Sequence, residues 1–516
     1  MSYHLIAYFA VFLPAVILAY QLAPQKFRWI VLLSADYLFF WFISGKLILY
    51  LLFATVMTHY IGIWLENVSL TAEGSAKQIT KKKRHVLAFG ILVNLAVLVI
   101  LKYFNFFGQN LSLLMNLLSI DWEYKVIKFM VPIGISYYTL QTISYMTDVY
   151  RGTLKAEKNI VKIALYLSFF PQIMEGPISR FHETADSLYA GKDIEFENMK
   201  FGYQRIVYGL FKKIVVADRI APVVIKVFGK YEEYDGAVIA FAAICFTLQL
   251  YMEFSGCMDI IMGSGQIFGV KLPENFRQPF FAKDASDFWH RWHITLGTWF
   301  KDYIFYPVSL AKPVKNFAKK VKNKFGRNVS KFVAPFAALF CVWSCNGLWH
   351  GPYWTYIFYG MYYFVLIFLE NVLEEPVSKL TKKFHINREG RGYKVFRLCK
   401  LFVIVNIGEM FFRAESVGAG FWMLKNIFLN FHISKLADKF FSLGMDEYDA
   451  GVALIGILIV LVIDILHEKN IHIRDIVAKW VLPVRWVFWY AVIMFVVIFG
   501  AYGAGYTVVD MIYAGY

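Results

Sequence analysis

Apolar residues run through this 516-residue chain in long blocks, without the strict alternation of a half-buried strand. The blocks lie near 4–22, 29–44, 47–66, 85–104, 128–147, 203–228, 237–252, 332–349, 353–370, 398–413, 450–466 and 484–502. Several reach the roughly 20 residues that span a bilayer, and others are short enough to be re-entrant or interfacial. The pattern predicts an all-α polytopic membrane protein with about ten to twelve crossings and a few partial ones. One stretch departs from it. SFFPQIMEGPISR (168–180) interrupts an apolar run with Pro171 and Pro177 and carries Glu175 at its centre, which predicts irregular backbone lining a cavity rather than facing lipid.

Composition strengthens the membrane reading. The chain is 59% hydrophobic and only 17% charged, with a mean hydropathy of +0.51, whereas soluble domains carry about 25% charged residues. A net charge of +16 invites a nucleic-acid partner, but the basic residues, those of 77–85 and 310–331 included, cluster in short loops between apolar runs, which is how membrane topology is written. The five cysteines, Cys245, Cys257, Cys341, Cys345 and Cys399, include no CxxC pair and suggest neither a disulfide framework nor a zinc knuckle.

Charge also orients the spans. The first run lacks lysine and arginine in its leading flank, Met1-Ser2-Tyr3-His4, while Lys26 and Arg28 follow it, which argues against a signal peptide and for an external amino terminus. KQITKKKRH (77–85) belongs in the cytoplasm by the positive-inside rule, and counting back through three spans again leaves the amino terminus outside. Residues 310–331 hold eight basic residues and no acid, and 374–400 is basic in balance. Both segments are therefore expected to be cytoplasmic. Residues 332–371 must then enter and return as a hairpin turning near GLWHGPYW (347–354), which puts His350 within the membrane or towards its outer side, where an ionisable residue marks function. Residues 414–448 read as a modest external loop.

DFWHRWHITLGTWFKDYIF (286–304) gathers ionisable groups in an apolar setting. Drawn as one helix at 100° per residue, Trp289, Trp292, Leu296, Trp299, Phe300 and Tyr303 share a face with His293, His290 sits on its shoulder and Arg291 points away. An interfacial helix anchored by tryptophans accounts for the aromatics. His290 and His293 at i, i+3 supply only two ligands, so no metal site is assigned. Upstream, LQLYMEFSGCMDI (248–260) adds Glu253 and Asp259, and PIGISYYTLQTISYMTDVYRG (132–152) ends with Asp148 and Arg151. Any of these acids can be an ion-pair partner, the commoner fate of a buried carboxylate. Together they imply a polar interior.

The ordered succession PIGISYYTLQTISYMTDVYRG, FFPQIMEGPISR, LQLYMEFSGCMDIIMGSGQIFGVKLPENFRQPF, DFWHRWHITLGTWFKDYIFYPV and GLWHGPYWTYIFYG resembles the membrane-bound O-acyltransferase family. The likeness is to its bacterial branch of alginate O-acetylation subunits and teichoic acid D-alanyl transfer proteins. It runs from roughly residue 5 to 430 and weakly onward. It implies a single integral membrane domain over 1–516, with a motif core about 128–372, peripheral helices in 1–110 and 396–516, and a helical bundle around a central tunnel. By motif, His350 of LWHG matches the family's principal catalytic histidine and His293 of RWH its second signature position. The implied reaction moves an acyl group, acetyl first and D-alanyl as the alternative, from a cytoplasmic donor such as acetyl-CoA or an acylated carrier protein. The implied acceptor is a hydroxyl of an extracellular polysaccharide or cell-wall polymer, or a secreted SGNH-type partner. The donor enters as substrate, no bound cofactor is called for, and the setting is a bacterial cytoplasmic membrane.

The chemistry suits the residues. A neutral imidazole within hydrogen-bond reach takes the proton from a weakly acidic hydroxyl as it attacks a thioester, and His350 is expected to be that base. Asn346 lies at i−4, on the same helical face if the run stays helical, where its amide can orient the ring or a developing oxyanion. Trp349, Glu253, Asp259, Arg291 and Glu175 are possible supporting residues. Ser344 and Cys345 are the candidates for a covalent intermediate, although direct transfer is preferred. Two other classes fit a polytopic chain: a transporter or flippase, which predicts an internal symmetry that is not found, and a non-catalytic scaffold of a polysaccharide export complex.

Overall fold

The computed structural model describes every residue except 1, 2, 4, 6, 72, 503–505 and 507–516, so Met1, Ser2 and His4 of the leading flank lie outside the described residues. Among the described residues there is no strand, only helices and one isolated bridge. Seven helical stretches are long and apolar enough to cross a membrane: Gln25–Thr71, Ala76–Leu117, Gly236–Ile267, Arg327–His350, Trp354–Lys383, Glu447–Glu468 and Leu482–Phe499. Ala7–Leu22 and Val417–Leu429 are shorter apolar helices. Helices dominate because in hydrocarbon the backbone must satisfy its own polar groups, which a helix does within one segment. The chain is a multi-pass membrane protein.

Two compact units divide the described residues: one takes those up to Ile206 with Ile260–Pro273, the other Val207–Asp259 and those from Glu274 on. The first holds α1 (Leu13–Leu22), α2 (Arg28–Ser44), α3 (Ile48–Thr71), α4 (Ala76–Leu98), α5 (Phe104–Leu117), α6 (Ile135–Arg151), α7 (Ile160–Ser168), α8 (Phe181–Tyr189) and most of α9 (Phe196–Leu210). The predicted apolar run at 128–147 is not one helix. No helix forms before Ile135, because Pro132 removes a donor and Gly134 adopts a left-handed φ of 79°. A Cβ on Gly134 would stand 2.0 Å from the Ile173 carbonyl oxygen, so only glycine lets this turn close on the 169–180 segment. That segment is irregular and buried, as its prolines predict. Its entry is held by fully buried Asp36 of α2, which accepts from the Phe170 N–H (2.7 Å) and the Ser168 hydroxyl (3.3 Å).

The second unit holds α10 (Asp218–Gly229), most of α11 (Gly236–Ile267), α12 (Ala285–Arg291), α13 (Ile294–Phe300), α14 (Tyr306–Ser309), α15 (Lys312–Phe325), α16 (Arg327–Ser330), α17 (Val333–His350), α18 (Trp354–Lys383), α19 (Arg391–Arg413), α20 (Val417–Leu429), α21 (Ile433–Lys439), α22 (Glu447–Glu468), α23 (Ile473–Val477) and α24 (Leu482–Phe499). The expected hairpin forms: α17 and α18 are joined by Gly351–Tyr353. Two glycines let the backbones touch, since a Cβ on Gly347 would lie 2.5 Å from the Tyr356 carbonyl oxygen and one on Gly360 2.3 Å from that of Trp343.

Three segments expected to be loops are helical. KQITKKKRH is the first part of α4, started by the Gln78 side chain accepting from the Ser75 N–H (2.8 Å). Most of 310–331 is α15 and α16, and 414–448 contains α20 and α21, with the Ser416 hydroxyl capping α20 at the Ala419 N–H (3.0 Å).

Candidate active site

His293 does not lie on a continuous helix. α12 is capped by Asp284, whose side chain accepts from the Asp287 N–H (2.8 Å), and ends at Arg291. Trp292 is extended and His293 left-handed, at φ 48° and ψ 49°, before α13 resumes at Ile294. The shared aromatic face expected from one helix therefore does not exist as drawn. A second segment supplies the reason. Phe276 bridges Trp292, the Arg277 N–H donates to the Arg291 carbonyl (2.9 Å) and the Ile294 N–H to that of Asn275 (3.0 Å), so inter-segment bonds replace helical ones. Trp292 is then buried between Phe276 (ring centroids 5.0 Å) and Phe288 (5.4 Å). A left-handed non-glycine costs about 1–2 kcal/mol, and such residues concentrate at functional sites.

Asn275 fixes the imidazole. Its buried Oδ1 accepts from the Thr295 N–H and hydroxyl, both at 3.0 Å, capping α13 from outside, and lies 3.2 Å from His293 Nδ1. The Thr295 N–H can only donate, so the Asn275 atom facing it is the oxygen. His293 Nδ1 must then carry the proton, and in the neutral ring Nε2 is the acceptor. Burial pushes this imidazole down to about 3, so it is neutral near pH 7. Nε2 is buried with no hydrogen-bond partner among the described residues.

α17 supplies the rest. Asn346 and His350 are both buried, one turn apart, and Asn346 Oδ1 has no partner among the described residues. Trp349 joins the two histidines: its ring lies 5.5 Å from His293 and 5.1 Å from His350. His350 is walled by Phe412 of α19 (5.1 Å, perpendicular) and by Tyr359 (5.9 Å) and Tyr356 (6.1 Å) of α18. Tyr359 continues into a cluster with Tyr363 (5.0 Å) and Trp289 (6.1 Å), and Trp289 packs on Trp343 (4.9 Å). The lining is aromatic, with few polar groups placed in it, as small-molecule sites usually are.

The structure thus brings His293, Trp349, His350 and Asn346 together, and gives the other candidates different work. Glu253 and Asp259 of α11 pair with Lys213 (3.3 Å) and Lys212 (2.6 Å), consecutive lysines in a π-helical turn, Phe211–Ala217. Arg291 pairs with Asp287 (3.2 Å) and Glu468 (2.8 Å). Glu175 is buried in the irregular segment of the first unit. His290 is exposed, with Nδ1 on the Ser286 carbonyl (2.7 Å). Ser344 and Cys345 are half-buried on α17. Among the described residues, no three His, Cys, Asp or Glu gather as metal ligands would.

Sequence reasoning missed Asn275, although ENFRQPF was in view, and the walls formed by Tyr359 and Phe412. It also missed Glu409, buried on α19 one turn before Phe412. A lone acid in the apolar run LFVIVNIGEMFF was the available signal.

Fold and site define an integral membrane protein built of helices, with two buried imidazoles and an amide held among aromatic rings. Residues 155–405 match the model of MBOAT, the membrane-bound O-acyltransferase family. A protein named probable alginate O-acetylase AlgI, from Pseudomonas syringae pv. tomato, is 31% identical over 79% of this chain and 71% of its own length. A peptidoglycan O-acetyltransferase of Helicobacter pylori is 27% identical over 80% of this chain and 76% of its own. A teichoic acid D-alanyltransferase of Bacillus subtilis is 28% identical over 55% and 69%. The chain belongs to the membrane-bound O-acyltransferase family and is an acyltransferase.

Proposed function

We propose that this enzyme moves an acetyl group from a cytoplasmic thioester, acetyl-CoA or an acylated carrier protein, across the bacterial cytoplasmic membrane to a hydroxyl outside. The acceptor is an exopolysaccharide or cell-wall polymer, reached directly or through a secreted SGNH-type partner, and the amino terminus is external. The observation that carries this reading is the grouping of His350, Asn346 and Trp349 on one end of α17 beside the neutral His293. The names of the alginate and peptidoglycan relatives favour acetyl. That of the Bacillus subtilis relative supports D-alanyl transfer as the second reading, over a smaller share of this chain.

In this scheme His350 removes the acceptor hydroxyl proton as its oxygen bonds to the thioester carbonyl carbon. The tetrahedral intermediate then collapses, the carbon–sulfur bond breaks, and the imidazolium returns the proton to the departing thiolate. The Asn346 amide N–H orients the ring or donates to the oxyanion, a role worth about 10²–10³ in rate. His293, held through Nδ1, presents Nε2 as an acceptor that orients a substrate hydroxyl or relays its proton. Neither step needs a covalent enzyme intermediate, which leaves Ser344 and Cys345 without a chemical part.

The test is single-turnover transfer of labelled acetyl from acetyl-CoA or its carrier to an added polymer or secreted partner by the purified protein in lipid discs. Transfer by the native protein, reduced at least about 10²-fold in His350→Ala, is the expected result. Equal transfer by both would remove His350 from the chemistry, and D-alanyl transfer alone would favour the second reading.

A further inference from the structure

α15 is the most one-sidedly charged element among the described residues. Its 14 residues carry Lys312, Lys315, Lys319, Lys320, Lys322 and Lys324 and no acid, and none of the six forms an ion pair among the described residues. On a helical wheel Lys312, Lys315, Lys319, Lys320 and Lys322 take one side and Val314, Phe317, Ala318, Val321 and Phe325 the other, with Pro313 and Lys324 at the border and the Lys324 ammonium 5.2 Å over the Phe325 ring. Protein covers only part of that arc. α15 packs against α17, and Val314, Ala318 and Val321 are half-buried, yet Phe317 and Phe325 are each 59% exposed.

A partner for this surface has to satisfy six cations and two open phenylalanine rings at once. Place narrows the choice. Gly326 alone separates α15 from Arg327–His350, the stretch of α16 and α17 that is long and apolar enough to cross the bilayer, so α15 sits within a few residues of where the chain enters the membrane. A basic amphipathic helix there puts its rings at the acyl boundary and its lysines among the headgroups, each lysine gaining from negative lipid charge. An acidic protein surface matches the lysines but leaves the rings in water. We propose that α15 is a lipid-sensing surface that docks on the anionic headgroups of the leaflet, thereby anchoring the entry end of the helix that carries His350. It lies 25 residues and more from that imidazole along the chain and takes no part in the acyl-transfer scheme, so its failure and the failure of that scheme are separable.

The experiment is hydrogen exchange of the full-length protein in lipid discs of pure phosphatidylcholine or of phosphatidylcholine with a third phosphatidylglycerol. A 14-residue surface helix frays in water and is held closed by a surface that binds it. Amides of 312–325 should exchange about tenfold or more slowly in the anionic discs, and added salt should reverse the effect by screening. Lys315→Gln/Lys319→Gln/Lys322→Gln should lose the difference, while unchanged exchange over 333–350 shows that the fold is kept. Equal exchange of 312–325 in the two discs would overturn the proposal. So would protection that appears only when an acidic carrier protein is added to neutral discs, which would assign the surface to that partner.

Discussion

Asn275 Oδ1 serves three donors and holds one of the two histidines of the site. Asn275→Ala leaves the α13 cap unmade and His293 Nδ1 without its acceptor, a loss of about 2–4 kcal/mol. A lower unfolding temperature in detergent measures it, and Asn275→Asp, which keeps an acceptor oxygen, should recover most of the loss. Buried His293 adds a pH dependence. Its folded value of about 3 lies below the ordinary 6.5, so between those limits the unfolded chain binds more protons than the folded one. Stability is full above pH 6.5 and falls as the pH drops towards 3, by up to about 1.4 kcal/mol per unit from this group. His293→Gln should flatten the decline in acid thermal scans; an unchanged slope would contradict a neutral buried ring. Of these residues, His350 and its i−4 neighbour Asn346 were legible in the sequence, because LWHG is a local motif on one helix. Asn275 was not: it acts across 18 to 20 residues, and no periodicity reports a side chain that caps a helix it does not belong to.

At the scale of elements, contact between α17 and α18 depends on the absence of side chains at Gly347 and Gly360. Gly360→Leu should separate the helices and cost upwards of about 2 kcal/mol, seen as lost protein in the membrane or a lower unfolding temperature. Gly392→Ala, where a Cβ meets nothing within 4 Å, should leave both unchanged. Equal effects would mean that the close approach does not hold the hairpin. The hairpin itself could be read from two apolar runs flanking Gly, Pro and Trp at 347–354. The basic segments 77–85 and 310–331 were read as loops for a physical reason. Lysine is a good helix former, and a lysine-rich helix against a membrane shows little of the apolar excess by which spans are recognised. The break at His293 was hidden in the opposite way, since its neighbours keep helical spacing on both sides while bonds to 275–277 interrupt the helix between them.

For the whole molecule, the positive-inside reading puts 77–85 and 310–331 on one side. A protease site inserted at exposed Gly326 should be cut in inside-out membrane vesicles and protected in intact cells. Cutting from outside would invert the topology and with it the assignment of donor and acceptor sides. The general architecture was readable because composition alone separates a membrane chain from a soluble one, and the ordered motifs narrowed it to one family. The division into two compact units was not, since no change in composition marks it. The most direct measurement is incorporation of isotope-labelled acetyl into extracellular polymer by cells bearing the native protein or His350→Ala at matched membrane levels. Label in the native cells and its loss in the mutant is the result expected of acyl transfer with His350 as the base. Equal label in both would contradict that role and move the chemistry to other residues.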